Sequence, residues 1–264
     1  MAEDTWLVVG RKGRHRAAAA TRGGGEAAPA PLEAAEHEVA SCATLEQSRA
    51  SLERLEADLA ASPFCTSLRH AFAAVAAGDA AYWRRITRVR CYGLGPPSSS
   101  LSARAQLALL PVLLSLLPGA PSAAFYDPVL SDLDKQLIAA AGGTLLTEAA
   151  AADHRVTEST LFYMPHCDAS VYNDVLDANW AAESLPVLAI LGNSFEHMQE
   201  RWSGPTFRRR TGRPHRVLAL TDLGLVREEA LRGSGFRVEN AFNDTSLHVF
   251  EGEALRQAPD AFLA

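Results

Sequence analysis

The amino-acid sequence predicts an α/β protein: one domain built on a mainly parallel sheet, closed by an antiparallel hairpin and preceded by a helical extension. Three observations carry this. From Trp83 onwards, short apolar runs alternate with helical segments, which is the grammar of βαβ units. Each run before the last pair stops at a glycine or a polar residue, where a strand would give way to a loop. The last two runs are parted by little more than Asn243 and Asp244, too little chain for a crossover, so they pair antiparallel.

Taken in order, residues 10–31 hold Arg11, Lys12, Arg14, Arg16, three successive glycines and repeated Ala and Pro. Such a composition cannot bury enough apolar surface to offset chain entropy, so residues 1–31 are expected to be a disordered basic arm. Leu45, Leu52, Leu55 and Leu59 recur at helical spacing with Glu and Arg between them. An amphipathic helix over 32–61 is expected, packed on the main domain or on a partner. Ser62 and Pro63 stand as N-cap and first residue of a further helix that Gly78 can end. Residues 32–84 are therefore read as helices packed on an α/β domain over 85–264.

Within that domain the expected strands are 89–92, 123–126, 144–147, 160–164, 187–191 and 216–221, with helices at 101–117, 131–141, 169–181 and 225–232. Pro111 falls inside the first of these helices, where a lost backbone bond costs about 3 kcal/mol unless the helix kinks, and a kink is expected. The closing hairpin is assigned to 236–242 and 246–250. The whole pattern is Rossmann-like, and a similar ending occurs in Rossmann-like methyltransferases, an analogy of architecture alone.

Composition removes several function classes. The chain of 264 residues is 48% hydrophobic and 21% charged with a net charge of -6, which is globular and argues against a general nucleic-acid binder. The longest apolar run, 107–117, holds Pro111 and Ser115 and is far shorter than the roughly 20 residues a spanning helix needs, so no membrane passage is expected. The first sixteen residues place acidic groups before a short apolar stretch and basic ones after it, unlike a secretory signal. Cys42, Cys65, Cys91 and Cys167 show no CxxC spacing, which fits reduced thiols and a cytoplasmic setting, with nuclear entry also compatible.

Read to their C-terminal ends, the parallel strands meet Gly93 and Gly95, then Asp127, Glu148, His166 with Cys167, and Asn193 with Ser194. In a parallel sheet these ends share one edge, so all eight residues are candidates for a ligand-binding crevice. The competing reading is that strand-to-helix loops are polar because they face water. CYGLG precedes a segment that SSSLS can cap, so its glycines could admit a phosphate or a ribose. Yet GLGPPSSS is not GxGxxG, Pro96 and Pro97 lack amide donors, and Asp127 lies 32 positions beyond Gly95 rather than the roughly 20 of a dinucleotide fingerprint. Asp127 can cap the helix starting near Ser131 or bind ligand hydroxyls. His166 beside Cys167 lacks a second ligand pair, so no metal site is assigned. A nucleophilic Cys167 would need His197 or His248 as its base. No Cys-Pro dipeptide and no CxxCH is present for haem. The sequence assigns no catalytic residue and no cofactor. Arg201 to Arg216 holds six arginines and reads as a surface loop, an anion-binding segment or an import signal.

CYGLG, ARAQLALL, YDPVL, TLFYMPHC, VYNDVLDANW, ILGNSF and FNDTSLHVF, in this order, resemble the motifs of the Sensitivity To Red Light Reduced (SRR) domain family, most of all its animal members. What the resemblance implies is regulatory: red-light signalling and circadian timing for plant members, control of haem biosynthesis and of core clock gene expression for the animal ones, and microtubule-related processes for fungal ones. It carries over no catalytic residue. Two readings follow, a regulatory protein working through a protein partner or a small nucleotide-like ligand, and a small-molecule transferase dependent on S-adenosylmethionine or a nucleotide.

Overall fold

The computed structural model describes residues 44–204, 207, 212–232 and 235–262. The expected arm over 1–31 and the start of the first amphipathic helix lie outside the described residues.

The helical extension forms as its punctuation dictates. Helix α1, Leu45–Ala60, opens on Thr44, whose hydroxyl accepts the Gln47 amide, and buries Leu52, Leu55 and Leu59. Helix α2, Pro63–Gly78, begins with Ser62 as N-cap and Pro63 in its first turn, and α3 is the single turn Tyr82–Arg85. The sheet then runs through β1, Arg88–Tyr92, β2, Ser122–Tyr126, β3, Thr144–Leu145, β4, Thr160–Met164, β5, Leu188–Asn193, β6, Arg227–Ala230 and β7, Thr245–Val249. Between them lie α4, Leu101–Ala108, α5, Leu110–Ser115, α6, Asp132–Ala140, α7, Glu148–Ala152, α8, Ala169–Ala178, α9, Phe195–Ser203 and α10, His215–Asp222, and α11, Gly252–Gln257, follows β7. The helix expected at 101–117 is divided at Leu109, which keeps helical angles and whose carbonyl Leu113 still bonds, with Pro111 in the first turn of α5.

The seven strands pair in the order β3-β2-β1-β4-β5-β7-β6. Strands β1 to β5 are parallel, and β7 is antiparallel to both β5 and β6. The order reverses between β1 and β4, and crevices outside the carboxyl ends of strands form at such a switch point. Strand alternation divides the core. Leu161, Tyr163, Ala189, Leu191, Leu247 and Val249 face the cluster built with α1, α2, α4, α5 and α6. Phe162, Met164, Leu188 and Ile190 face the cluster built with α8 to α11.

Three expected elements are corrected. The strand expected at 216–221 is α10, where Val217 and Leu220 are buried and Thr221 bonds the Val217 carbonyl one turn back; a short apolar run has no period long enough to separate the two states. The helix expected at 225–232 holds β6, because Glu228 pairs with His248 of β7 across the sheet and tertiary pairing overrides local propensity. The strand expected at 236–242 is a run of turns whose Phe236, Val238 and Phe242 fill the first core cluster, with Phe242 stacked on Phe64 at 4.2 Å. The antiparallel hairpin exists, but its first strand is β6. Strand β3 also stops at Leu145, because Thr147 caps α7.

Candidate functional site

At the switch point, β1 ends in Gly93 and Gly95, both at positive φ (65° and 74°). A Cβ on Gly93 would stand 2.7 Å from the Cys167 sulfur and 3.1 Å from the His166 carbonyl carbon, so bare backbone is what lets the loops after β1 and β4 touch. Asp127, from the end of β2, reaches across to accept the Gly95 amide at 2.8 Å and also accepts the Val129 amide at 3.1 Å. The loop that follows is held from behind. Arg104, fully buried on α4, donates to the Pro97 and Ser98 carbonyls at 2.8 Å each and to Ser51 of α1 at 3.1 Å. Asp134, buried in the capping box of α6, accepts the Ser98 amide at 2.7 Å.

His166 lies at the surface, but its Nε2 meets the side-chain amide of Gln106 at 2.7 Å. The same Gln106 nitrogen donates to the Ala241 carbonyl at 2.8 Å, which fixes the amide orientation, so His166 Nε2 must accept and the imidazole is neutral. Loss of hydration lowers the His166 pKa in agreement. Cys167 is pushed well up, first by burial and then by the charges of Asp127 and Asp168, so it stays a protonated thiol. Burial, with Glu148 and Asp127, likewise raises the Tyr126 phenol.

At the end of β5, the Tyr172 phenol bonds the Met164 carbonyl and accepts the Asn193 amide at 2.7 Å, also meeting Asn193 Oδ1 at 3.1 Å. Ser194 caps α9 by accepting the His197 amide at 3.1 Å. Glu228 accepts the Phe195 and Glu196 amides at 3.1 Å each, placing a carboxylate on the positive end of α9. Burial alone would raise the Glu228 carboxyl, but His248 at 3.4 Å, with Ser194 and Ser246, brings it down to about 2.

Thus Gly93, Gly95, Asp127, His166 and Cys167 come together at the switch point. Glu148 stands exposed in the first turn of α7, near enough to act on Tyr126, while Asn193 and Ser194 are joined to the group around Tyr172 and α9. Neither candidate base serves Cys167: His197 meets Asp244 at 2.6 Å, and buried His248 bonds the Ile190 carbonyl at 3.2 Å. Sequence reasoning missed Gln106, Tyr172 and Glu228, whose partners lie 60, 21 and 33 positions away along the chain. Among the described residues no group of three or more His, Cys, Asp or Glu side chains could hold a metal ion, and no helix is long and apolar enough to cross a membrane.

Comparison with known proteins gives a consistent picture. The family model described as the SRR1 domain matches residues 52–249. An SRR1-like protein of Drosophila melanogaster is 31% identical over 175 residues, covering 66% of this chain and 59% of that protein. An SRR1-like protein of Mus musculus is 38% identical over 113 residues, or 42% of this chain and 45% of its own. Protein SENSITIVITY TO RED LIGHT REDUCED 1 of Arabidopsis thaliana is 28% identical over 165 residues, or 60% and 57%. The chain therefore spans less than two thirds of the length of each of these relatives. No solved structure matches.

Proposed function

Because this chain belongs to the SRR1 domain family, we propose that it is a regulatory protein, acting in the control of haem biosynthesis and of circadian core clock gene expression. The regulatory reading is supported by the likeness to the Arabidopsis red-light sensitivity protein. Cytoplasmic residence with access to the nucleus suits these roles. The molecular means is a ligand-binding crevice over the carboxyl ends of β1, β2 and β4, and the observation that carries it is the meeting of Gly93, Asp127 and the His166–Cys167 loop at the switch point. In this reading Glu148 flanks the crevice, and Asn193 and Ser194 close its far side. The ligand reports a cellular state, and a protein partner reads the liganded surface.

The engagement of the reactive groups favours binding over chemistry. Cys167 is kept as a thiol, and the His166 nitrogen nearest the core is spent on Gln106. A transferase dependent on S-adenosylmethionine or a nucleotide is the second reading, favoured by one observation, the antiparallel β7 set between β5 and β6. Complementation tests the crevice, and turnover separates the two readings. In cells lacking the protein, restored wild-type chain is expected to return rhythmic clock-gene expression and haem output, and Asp127→Ala and His166→Ala chains of equal abundance are not. Full rescue by both variants would remove the crevice from the function, and catalytic turnover of a metabolite by purified protein would favour the transferase.

A further inference from the structure

We propose that the strand-end crevice selects a phosphate-free ligand, a nucleoside or similarly hydroxyl-bearing molecule that is neutral or positively charged, and discriminates against phosphorylated ones. The inference rests on the crevice reading above and concerns what that crevice admits.

A phosphate site at a strand-to-helix turn needs backbone amides directed at the anion, or a cation beside it. Among the described residues, the loop after β1 offers neither. From 95 to 100 every amide is absent or spent: Gly95 donates to Asp127, Ser98 to Asp134, Ser99 and Ser100 to the Pro96 carbonyl, and Pro96 and Pro97 have none. Two of those amides thus already serve carboxylates of the protein itself. The arginine bonded to this loop, Arg104, is fully buried and donates to Ser51 and to the Pro97 and Ser98 carbonyls. Lys135 on α6 is paired with Asp132. His166 is neutral by the logic of its Gln106 bond, so it brings no positive charge at neutral pH.

Among the described residues, the charge at these strand ends is negative. Asp127 stands at the end of β2, Glu148 in the first turn of α7, and Asp168 at the start of α8, where its side chain makes no capping bond. Cys91, Tyr126 and Cys167, on three different segments, all have their ionisation suppressed in part by Asp127. Asp127 thus stands close enough to three segments for its charge to act on each, and a carboxylate there repels a phosphate while favouring hydroxyl donors and cations. Asp127 Oδ1 and Oδ2 each retain a lone pair after accepting one amide, which suits a pair of vicinal hydroxyls.

The test is isothermal titration of the full-length chain at pH 7.5 with adenosine, S-adenosylmethionine, AMP and ATP, repeated with Asp127→Asn and Asp168→Asn. Asn at 127 keeps an oxygen for the Gly95 amide, and 168 is exposed, so both variants are built to fold, which circular dichroism checks. Expected is binding of adenosine or S-adenosylmethionine at least ten-fold tighter than of AMP or ATP, with the gap narrowed at least three-fold in each variant. AMP or ATP binding as tightly as the phosphate-free probes would overturn the charge selection and leave the crevice reading intact. Failure of all four probes to bind folded protein would overturn both.

Discussion

At the residue scale, the strand ends are closely fitted, and Tyr172 shows how little slack they have. Its phenol sits where β4 and β5 part, and it can do so because residue 192 has no side chain: a Cβ there would lie 2.9 Å from the Met164 carbonyl oxygen and from the phenol ring. Gly192→Ala is expected to cost about 1–3 kcal/mol by overpacking. Tyr172→Phe is expected to cost a similar ~1–3 kcal/mol, by stranding the Met164 carbonyl and the Asn193 amide. Removing the hydroxyl also removes one of the atoms a Cβ would strike, so the double variant should be more stable than the summed losses allow, which urea unfolding of all four proteins measures. Glu228 makes a pH prediction. Its folded pKa is depressed from the ordinary 4.5 to about 2, so its contribution is complete above about pH 4.5 and is lost as the pH falls towards 2. Denaturation midpoints taken in pH steps should show this limb, on the order of 1–3 kcal/mol, and Glu228→Gln should flatten it. Asp127, His166 and Cys167 were legible in the sequence because each ends an apolar run. Gln106, Tyr172 and Glu228 were not, since a side chain's partner across the fold leaves no mark on its own neighbours.

At the scale of elements, the loop after β1 owes its shape to helices rather than to its own glycines. Arg104 ties the Pro97 and Ser98 carbonyls to Ser51, so α1, α4 and the loop form one clamp. Arg104→Met keeps the bulk and removes the donors, leaving buried acceptors unpaired at a cost of about 2–4 kcal/mol. Hydrogen exchange at Ser98, Ser99 and Ser100 should quicken more than the global loss explains; exchange that follows global stability alone would show that the clamp does not shape the loop. Elements with explicit punctuation were readable in advance, Ser62 with Pro63 for α2 and the apolar run closed by Pro165 for β4; α6 was placed, but its cap is Ser131 with Asp134 and not Asp127. The elements given the wrong state fell after residue 214, where Val217 to Thr221 is too short for its period to tell helix from strand, and where Arg227 to Ala230 is a strand only because β7 pairs with it; the short helices α7 and α9 were not anticipated. Placing 236–242 in the hairpin followed from the same cause, as its Phe and Val residues answer to Phe64 in the extension and not to a ladder.

At the scale of the molecule, the sheet order brought residues from the ends of β1, β2 and β4 to one place, and that much of the site was implied once the βαβ pattern was recognised. The split of the chain at residue 85 was drawn from a change in composition, and packing gives it a different weight. Leu52, Leu55, Leu59, Phe64, Leu68 and Phe72 share a cluster with Val89, Cys91, Leu161, Tyr163, Ala189 and Leu191 of the sheet. Burying one such apolar side chain contributes about 1.5–3 kcal/mol, so six approach or exceed the 5–15 kcal/mol by which a whole domain is stable. A chain that starts at residue 85 would also present Arg104 without Ser51 and leave in water the part of the sheet's inner face that α1 and α2 cover. We therefore predict that such a chain lacks a cooperative urea transition and has weak near-ultraviolet dichroism, whereas the full chain unfolds in one step by both near- and far-ultraviolet signals. Retention of a sharp transition in the shortened chain would mean that the sheet and its remaining helices are stable alone and that the extension is an accessory. Its loss would mean that the extension is the missing wall of the core, and that the loop after β1 is shaped by residues placed before the first strand.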